Sequence, residues 1–385
     1  MPPTPSLAPR AAWLRAPEAG SGTWWRFDRP RGALVAQRVD EVPALLAEVE
    51  GATARGLWAV GYVAYEAAPA FDPALVVAAG GRAPLAAFGL FEPPVAGGAP
   101  EGGGDPARVA GLAPQLTETD YRAALAEVRA AIARGDTYQV NFTLPLAGRL
   151  EGSPEALFAR LAPASRAPYA AFLDLGPRAL VSLSPELFFE RDGATVRMRP
   201  MKGTRRRGRF AEEDAGVAAE LAAATKDQAE NLMIVDMARN DLGRLARAGS
   251  VEVPRLFDVE RYPTVWQMTS TVEALVAAPL AEIFAALFPC ASVTGAPKAA
   301  TMRAIARLER RPRGVYCGAI GYAAPGGRAR FSVAIRTAAV ERATGALDYG
   351  VGSGVVWDSE PGEEWRECLA KAAALQVAEP FRLFE

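Results

Sequence analysis

The sequence predicts an α+β fold assembled from antiparallel hairpins with helices inserted between them. Four short segments rich in β-branched and aromatic residues follow one another between 170 and 199, separated by glycine, proline or aspartate. Helical periodicity appears in separate blocks at 119–134, at 211–246 and from Pro361 onward. Because strands and helices do not alternate regularly, this order favours an α+β class over a doubly wound parallel sheet.

The first 116 residues contain a small region and a boundary. Residues 1–92 are predicted to form an N-terminal subdomain of the same fold, with a strand at 61–66. Residues 93–116 carry five prolines and six glycines, which indicates a linker or a long surface loop. Residues 117–385 then form the main domain.

The main domain opens with a helix, a strand and a second helix. Thr119 is expected to cap a helix whose apolar residues recur at spacings of four, three and four from Tyr121, ending at Gly135. A strand is predicted at 138–143, and Ser153, which precedes a proline, begins the next helix.

The rest of the main domain is predicted as hairpins around one long helical block. That block, 211–246, divides into two pieces, with Thr225 and Gln228 as an internal capping box. The predicted strands are 170–175, 179–183, 187–191, 195–199, 318–322, 331–337 and 349–351.

Composition restricts the chemistry that this chain can perform. It has 385 residues, 43 basic against 44 acidic side chains, and no histidine, which excludes serine–histidine–aspartate triads and histidine-based zinc sites. Any acid, base or nucleophile must therefore be a carboxylate, Lys, Tyr, Cys or Ser. The few lysines are accordingly worth locating: Lys202, Lys226, Lys298 and Lys371.

Charge, hydropathy and cysteine usage set the expected partners and compartment. A net charge of −1 gives no overall attraction to nucleic acid, and without a run of about 20 apolar residues no membrane span is expected. Three widely spaced cysteines without a CxxC pair favour a reducing, cytoplasmic compartment.

Two acidic pairs are candidate metal ligands by their spacing. Asp227 and Glu230 are three residues apart and share one helix face. Glu364 and Glu367 share a face of the last helix in the same way. Clustered carboxylates suit Mg²⁺, although most such pairs are solvated surface groups, so spacing alone leaves both interpretations open.

Three glycine-rich turns and one basic run offer contacts for anions. The turns are Lys202–Thr204, Thr294–Lys298 and Gly352–Gly354, whose backbone N–H groups can bind anions or simply form tight turns. Arg197–Arg209 holds seven basic residues in thirteen. It is a solvated loop, a local anion patch or, as a non-enzymatic alternative, a nucleic-acid contact.

Longer motifs, taken together and in order, carry a resemblance that no single turn carries. They are Ser184–Glu186, Pro200–Thr204, Lys226–Asn231, Ile234–Arg244, Ser292–Lys298, Ala334–Thr337, Gly350–Val356 and Glu363–Glu367. With these motifs the chain resembles the chorismate-utilising enzymes, a family that includes anthranilate, isochorismate, salicylate and aminodeoxychorismate synthases. The resemblance is nearly continuous from about residue 117 to 385.

The resemblance implies two antiparallel β-sheets packed face to face and flanked by helices, with a chorismate-binding catalytic domain at 117–385. It also implies a Mg²⁺ ion bound by Glu230 and Glu367, which would neutralise the ring carboxylate of chorismate. Asp227 and Glu364 would stand behind these ligands or bind through water. The implied substrate contacts are Arg336, Tyr316, Gly295, Thr294, Gly352, Ser353, Gly354, Lys371, Gln139 and Thr204.

Three positions favour the aminodeoxychorismate type within this family. Lys202 stands where anthranilate and isochorismate synthases carry alanine, and in the aminodeoxychorismate type it is the proposed nucleophile at C2 of the ring. Gln139 replaces the lysine base of water-using members and cannot act as a base, which favours ammonia as the incoming nucleophile. Glu186 matches the general acid for the C4 hydroxyl, so it has to be protonated near neutral pH.

The resemblance implies further features of the reaction. Arg336 and Tyr316 would meet the enolpyruvyl carboxylate of chorismate. Gln267 stands where anthranilate-type members carry histidine, which weakens the anthranilate synthase alternative and leaves Gln267 without an assigned role. A separate glutamine amidotransferase subunit is expected to supply ammonia, since a glutaminase histidine is absent. The product would be 4-amino-4-deoxychorismate, for 4-aminobenzoate and folate biosynthesis.

Overall fold

The computed structural model describes residues 7–17, 22–81, 83–101, 107–262, 265–373 and 375. Its strands are β1 Ala11–Arg15, β2 Trp24–Asp28, β3 Gly32–Ala36, β4 Trp58–Val63, β5 Ala86–Phe91, β6 Val95–Gly97, β7 Arg108–Pro114, β8 Gln139–Glu151, β9 Tyr169–Asp174, β10 Arg178–Ser184, β11 Leu187–Asp192, β12 Thr195–Arg199, β13 Met201–Arg206, β14 Glu252–Arg261, β15 Val265–Leu275, β16 Gly295–Ala296, β17 Ala319–Ala324, β18 Arg328–Val333, β19 Thr337–Glu341 and β20 Ala346–Val355. Its α-helices are α1 Val42–Ala54, α2 Glu118–Ala133, α3 Pro154–Ser165, α4 Ala211–Ala223, α5 Thr225–Gly243, α6 Leu280–Leu287, α7 Lys298–Glu309 and α8 Pro361–Ala373. Short 3-10 helices lie at Val39–Glu41, Tyr65–Ala70 and Ala291–Val293.

The strands form two ten-stranded sheets, and hydrogen-bonded neighbours run antiparallel. Sheet 1 has the order β16-β8-β20-β19-β10-β9-β1-β2-β6, and β7 also pairs with β8. Sheet 2 has the order β13-β15-β12-β11-β18-β17-β4-β5-β3, and β14 also pairs with β15. The predicted α+β class and the two antiparallel sheets are therefore confirmed.

Three apolar clusters hold the layers together. One lies between the sheets, where Leu14 and Phe27 of sheet 1 share a cluster with Val60 and Ile320 of sheet 2. On its other face, sheet 1 packs against α2, α3 and α8. Sheet 2 packs in the same way against α1, α5 and α6. The layer order is therefore helix, sheet, sheet, helix, with each apolar face covered by another element.

The N-terminal region contributes strands to both sheets. β1 and β2 belong to sheet 1, whereas β3, β4 and β5 belong to sheet 2. The segment 93–116, predicted as a linker or loop, carries the strands β6 and β7, which corrects that prediction for these two stretches. Residues 102–106 of the segment lie outside the described residues. Proline and glycine are tolerated here because β6 is an exposed edge strand of sheet 1, and β7 is a partly exposed strand that pairs with β8 outside the main strand order.

Two helix caps differ from the sequence prediction. α2 is capped by Thr117 rather than Thr119, because the Thr117 hydroxyl accepts a hydrogen bond from Asp120 N at 3.1 Å. No side chain caps α5, so the predicted box of Thr225 and Gln228 is wrong. The predicted start of α3 is confirmed, with the Ser153 hydroxyl as the acceptor at its N-cap.

Several strands differ in extent from the prediction. β4 ends at Val63, and a 3-10 helix follows it where the strand was expected to continue. The predicted strand 331–337 is divided between β18 and β19, with Arg336 in the break at a φ of 50°. The hairpin of β14 and β15 was not predicted. Within the described ranges, no helix is long and apolar enough to cross a membrane.

Candidate active site

Strands from both sheets bring Lys202 and Gln139 together. Lys202 lies on β13, at the end of sheet 2, and Gln139 begins β8 of sheet 1. A Cβ atom placed on Gly354 of β20 would lie 2.6 Å from Lys202 Nζ and 3.1 Å from Gln139 Nε2. Glu230 of α5 has its Oε2 atom 4.0 Å from Lys202 Nζ. An amine, an amide and a carboxylate therefore surround a strand position that has no side chain.

Glu186 is a buried acid beside this group. Glu186 comes shortly after β10 in the chain and is only 4% exposed. Burial raises the pKa of its carboxyl group to about 7. A hydrogen bond with Ser292 and the positive charge of Lys202 act in the opposite direction. With a pKa of about 7, Glu186 is able both to hold and to release a proton near neutral pH, as a general acid requires.

Several buried polar atoms in this region lack a partner. In the described part of the chain, neither Gln139 Nε2 nor Gln139 Oε1 makes a hydrogen bond, and Gln139 is fully buried. Glu186 Oε1 is likewise buried without a partner. Leaving such a group unsatisfied costs about 1–3 kcal/mol, so native proteins normally pair it. These atoms are the hydrogen-bonding positions that a polar ligand would fill.

The turn that contains Thr294 and Gly295 closes one side of the group. β16 pairs with the start of β8, with Gly295 opposite Val140, and a Cβ on Gly295 would overlap the carbonyl oxygen of Gln139. Gly295 also has a φ of 147°, so only glycine fits there without strain. The Thr294 hydroxyl donates to the Cys290 carbonyl at 3.1 Å, so it is engaged within the protein.

The two faces of β20 separate its predicted contact residues. Gly352 and Gly354 share one face, and a Cβ on Gly352 would lie 3.2 Å from the hydroxyl of Tyr316. Ser353 points to the opposite face, where its hydroxyl lies 3.2 Å from that of Tyr121. The structure therefore groups the glycines with Lys202 and Tyr316, and it does not bring the Ser353 hydroxyl to them.

Lys371 approaches the same strand from α8. Its Nζ atom donates to the Gly352 carbonyl at 2.7 Å and pairs with Glu367 at 2.6 Å. Glu364, also on α8, contributes to a raised pKa of Tyr121, although burial is the main cause. Lys371, predicted as a substrate contact, is thus engaged with the backbone of this strand and with a carboxylate of its own helix.

Arg336 lines a small neighbouring cavity, and Thr204 is hydrogen-bonded to another residue of its lining. Arg336 lines a cavity of about 30 Å³ together with Met201, Tyr262 and Gln267. The Thr204 hydroxyl donates to Gln267 Oε1 at 2.7 Å, and Gln267 Nε2 donates to the Gly203 carbonyl at 2.8 Å. Gln267, which had no role at the level of sequence, therefore holds the strand segment Lys202–Thr204 of β13, which was predicted as a turn.

The four predicted metal ligands do not form one cluster. Asp227 pairs with Arg205 at 2.6 Å, and Glu367 pairs with Lys371. Over the described ranges, no three acidic or cysteine side chains gather closely enough to hold a metal ion. Carboxylate oxygens are the donors that Mg²⁺ prefers, so the chemistry of the set fits the ion while its arrangement is not assembled.

The basic run is largely neutralised by nearby carboxylates. Arg197 pairs with Glu273 at 2.6 Å, and Arg207 with Asp214, whose pKa it lowers. The further pairs in this run are Arg199 with Glu260, Arg205 with Asp227 and Arg209 with Glu213. A paired run of this kind lacks the free cationic face that phosphate binding requires.

One functional contact was missed at the level of sequence. Ser292 hydrogen-bonds to Glu186, and its hydroxyl lies 3.3 Å from Cys290 Sγ. The available signal was the position of Ser292 at the head of the motif Ser292–Lys298. Nothing in the spacing of that motif shows that its first residue contacts an acid more than a hundred positions earlier.

The chain belongs to the chorismate binding enzyme family, whose sequence model matches residues 98–377. Among curated proteins, it is 48% identical over 248 residues to an aminodeoxychorismate synthase of Streptomyces griseus, covering 63% of this chain and 34% of that protein. It is 41% identical over 258 residues to aminodeoxychorismate synthase component 1 of Salmonella typhimurium, covering 66% and 56%. An anthranilate synthase component 1 of Thermus thermophilus is 40% identical over 277 residues, covering 70% and 59%.

The chain spans between a third and three fifths of the length of these relatives. Among solved structures, anthranilate synthase component I of Streptococcus pneumoniae superimposes with a TM-score of 0.82 at 22% identity, covering 93% of both chains. At that identity the likeness shows the fold, and it confirms the two-sheet architecture.

Proposed function

We propose that this protein aminates chorismate at C4 to form 4-amino-4-deoxychorismate, using ammonia that a separate glutamine amidotransferase subunit supplies. The observation that carries the proposal is the grouping of Lys202 with the unpartnered amide of Gln139, close enough to the buried acid Glu186 for the Lys202 charge to lower its pKa. The similarity to aminodeoxychorismate synthases supports it, and the naming of one relative as component 1 agrees with a partner subunit.

The proposed reaction begins with one proton transfer between the two central side chains. A proton that moves from the Lys202 ammonium to the Glu186 carboxylate yields a neutral amine and a carboxylic acid together. Lys202 Nζ then bonds to C2 of the ring while the C4–oxygen bond breaks, and Glu186 gives its proton to the departing hydroxyl, which leaves as water. Both conjugated double bonds of the ring shift by one position toward C4, so atoms and electrons balance; they shift back when the lysine later departs from C2.

The second half of the reaction replaces the lysine by ammonia. Ammonia bonds to C4, the C2–Nζ bond breaks, and Lys202 recovers its electron pair. The Glu186 carboxylate accepts the proton that the new ammonium group releases, which restores the acid. Gln139 cannot deprotonate water, and its two buried amide atoms are suited to hold ammonia or a ring substituent by hydrogen bonds.

We further propose that Mg²⁺ assists binding, held by Glu230 and Glu367 with Asp227 and Glu364 nearby. The ion would neutralise the ring carboxylate of chorismate. Assembly of this site requires Glu367 to leave Lys371 and Asp227 to loosen its pair with Arg205. Calorimetric titration of Mg²⁺ with and without chorismate tests this, and equal affinity in both cases would contradict a shared site.

Product analysis tests the proposed function. Purified protein is incubated with chorismate, ammonium and Mg²⁺, and the products are separated by chromatography and identified by mass. We expect the non-aromatic amine, whereas anthranilate would refute the proposal in favour of the alternative, which the Thermus relative represents. We assign the reaction to the cytoplasm, in keeping with three buried cysteines that form no disulfide in the described residues.

The covalent step has its own test. With ammonium withheld, Lys202 should gain the mass of chorismate less water, and Lys202→Ala should abolish both the adduct and the product. Lys226→Ala is the matched control, since that lysine is exposed on α5. Full product formation by Lys202→Ala would remove the covalent mechanism and leave the family assignment intact.

A further inference from the structure

A buried ion pair of Arg313 and Glu309 lies beside the site, and the proposed mechanism does not use it. The two side chains are 2% and 4% exposed. Arg313 Nη2 lies 2.7 Å from Glu309 Oε1, and Arg313 Nε lies 2.8 Å from Oε2, which is a bidentate arrangement. Burying two charges costs several kcal/mol per ion unless further hydrogen bonds satisfy them. The remaining partners of the pair therefore show what it holds.

The other donors of Arg313 reach two segments of the candidate active site. Nη1 donates to the Val293 carbonyl at 2.7 Å, and Nη2 donates to the Asn141 carbonyl at 2.8 Å. Val293 immediately precedes the Thr294 turn, and Asn141 lies two residues after Gln139 on the same face of β8. One guanidinium group thus joins the two backbone segments that close around Gln139.

Two carboxylates fix the remaining geometry. Glu309 Oε1 also accepts a hydrogen bond from Thr143 N at 3.0 Å, which fixes β8 two residues beyond Asn141. Glu66 accepts from the backbone N–H groups of Arg313 and Gly314 at 2.6 and 2.9 Å. These two hydrogen bonds fix the backbone just before Tyr316, which is three residues after Arg313. The Arg313 guanidinium also stacks on the ring of Tyr65, 4.6 Å from the ring centroid.

We propose that Arg313 is a positioning residue for substrate binding, which sets the spacing between Gln139, the Thr294 turn and Tyr316. The inference rests on the proposed function only in taking chorismate as the substrate. Lys202 lies on β13 and Glu186 lies between β10 and β11, away from the backbone that Arg313 holds, so loss of Arg313 impairs substrate binding more than the reactivity of the amine. A merely structural role would lower the folded fraction and leave the affinity of the folded protein unchanged.

The test compares Arg313→Lys and Arg313→Met with Arg342→Lys as a control. Arg342 forms a partly buried pair with Glu155 at 2.6 Å, outside the contacts that define the site. Lysine keeps the charge but cannot reach two carbonyls and a carboxylate with one fork. We expect Arg313→Lys to raise the KM for chorismate roughly tenfold with kcat within about threefold, and Arg313→Met to raise it further.

Four measurements make the outcome decisive. Chorismate consumption and direct calorimetric binding are followed, with the folded fraction from circular dichroism, and carbamylation of Lys202 by cyanate reports its reactivity. An unchanged carbamylation rate with weakened binding supports the proposal. Wild-type affinity in folded Arg313→Lys, an equal effect in Arg342→Lys, or unfolding of both Arg313 variants would overturn it. Anthranilate as the wild-type product would refute the proposed function alone, because the KM comparison does not depend on the product.

Discussion

Gly354 leaves the space that Lys202 Nζ occupies, and Gly354→Ala tests whether that placement matters for catalysis. The added Cβ would lie 2.6 Å from Nζ. Non-bonded heavy atoms in contact ordinarily lie about 3.5 Å apart, so the amine has to retreat by about 0.9 Å. A displacement of about 1 Å at a reacting atom can cost about 100-fold in rate. We therefore expect kcat to fall by roughly 100-fold, or about 2.7 kcal/mol in activation free energy.

The same substitution should leave the fold intact. Gly354 does not have a positive φ, and its nearest obstacle is the end of a flexible lysine rather than backbone. The free energy of unfolding should therefore change by less than about 1 kcal/mol. Urea unfolding measures this change, and chorismate consumption with ammonium measures kcat.

Gly216→Ala is the matched control for Gly354→Ala. Gly216 lies on α4, and a Cβ there would meet nothing within 4 Å. We expect it to raise stability by up to about 1 kcal/mol without affecting kcat. Full activity in a folded Gly354→Ala protein would refute the placement of the amine. A loss of activity matched by a loss of stability would refute the argument that only the ends of the Lys202 and Gln139 side chains have to yield.

Three further predictions concern Glu186 and Ser353. Because burial raises the pKa of Glu186 to about 7, the folded state holds its proton longer than the unfolded state, and stability falls as pH rises from 4.5 to about 7. Glu186→Gln should remove this pH dependence, so the variant should have a higher urea midpoint than wild type at about pH 8, and it should abolish product formation. A difference between the two urea midpoints that stays constant from pH 4.5 to about 7 would contradict the prediction. Ser292→Ala removes a hydrogen bond that lowers the pKa of Glu186, so the alkaline limb of kcat/KM should move to higher pH, and a move to lower pH would exclude the contact. Ser353→Ala should leave the KM for chorismate unchanged, because the hydroxyl faces Tyr121, and a tenfold rise would show that it turns to the substrate.

The sequence predicted best where periodicity or a single motif decides the structure. The hairpins at 170–199 and the start of helix α3 at Ser153 follow from local sequence patterns, and the structure contains them. Thr117 immediately precedes α2 and Thr119 is its second residue, and the hydrogen bond to Asp120 N identifies Thr117 as the cap. The strands β6 and β7 lie in a segment of linker-like composition, because sheet-edge positions tolerate the glycines and prolines that composition counts against a strand.

Within the site, the types of residue could be predicted from the sequence, but the direction in which each side chain points could not. The motif residues Lys202 and Glu186 lie near enough for the Lys202 charge to lower the pKa of Glu186, and their roles remain predictions. Ser353 was predicted with the glycines on either side of it, but alternation along β20 turns its hydroxyl to the other face. Asp227 was predicted to lie beside a metal ion, but its ionic partner is Arg205. The basic run that contains Arg205 was interpreted as a whole, so this pair was not predicted.

The pairing of the earliest strands with the latest ones affects how the chain is synthesised and folds. Residue Val63 of β4 pairs with Ala319 of β17, and Ala11 of β1 pairs with Asp174 of β9. Contacts so distant along the chain close large loops and form slowly. During synthesis, β4 has to wait with one open edge until most of the protein has left the ribosome, a period in which it can pair with other chains. Aggregation of the growing chain, rather than instability of the finished one, is therefore the expected obstacle to its expression.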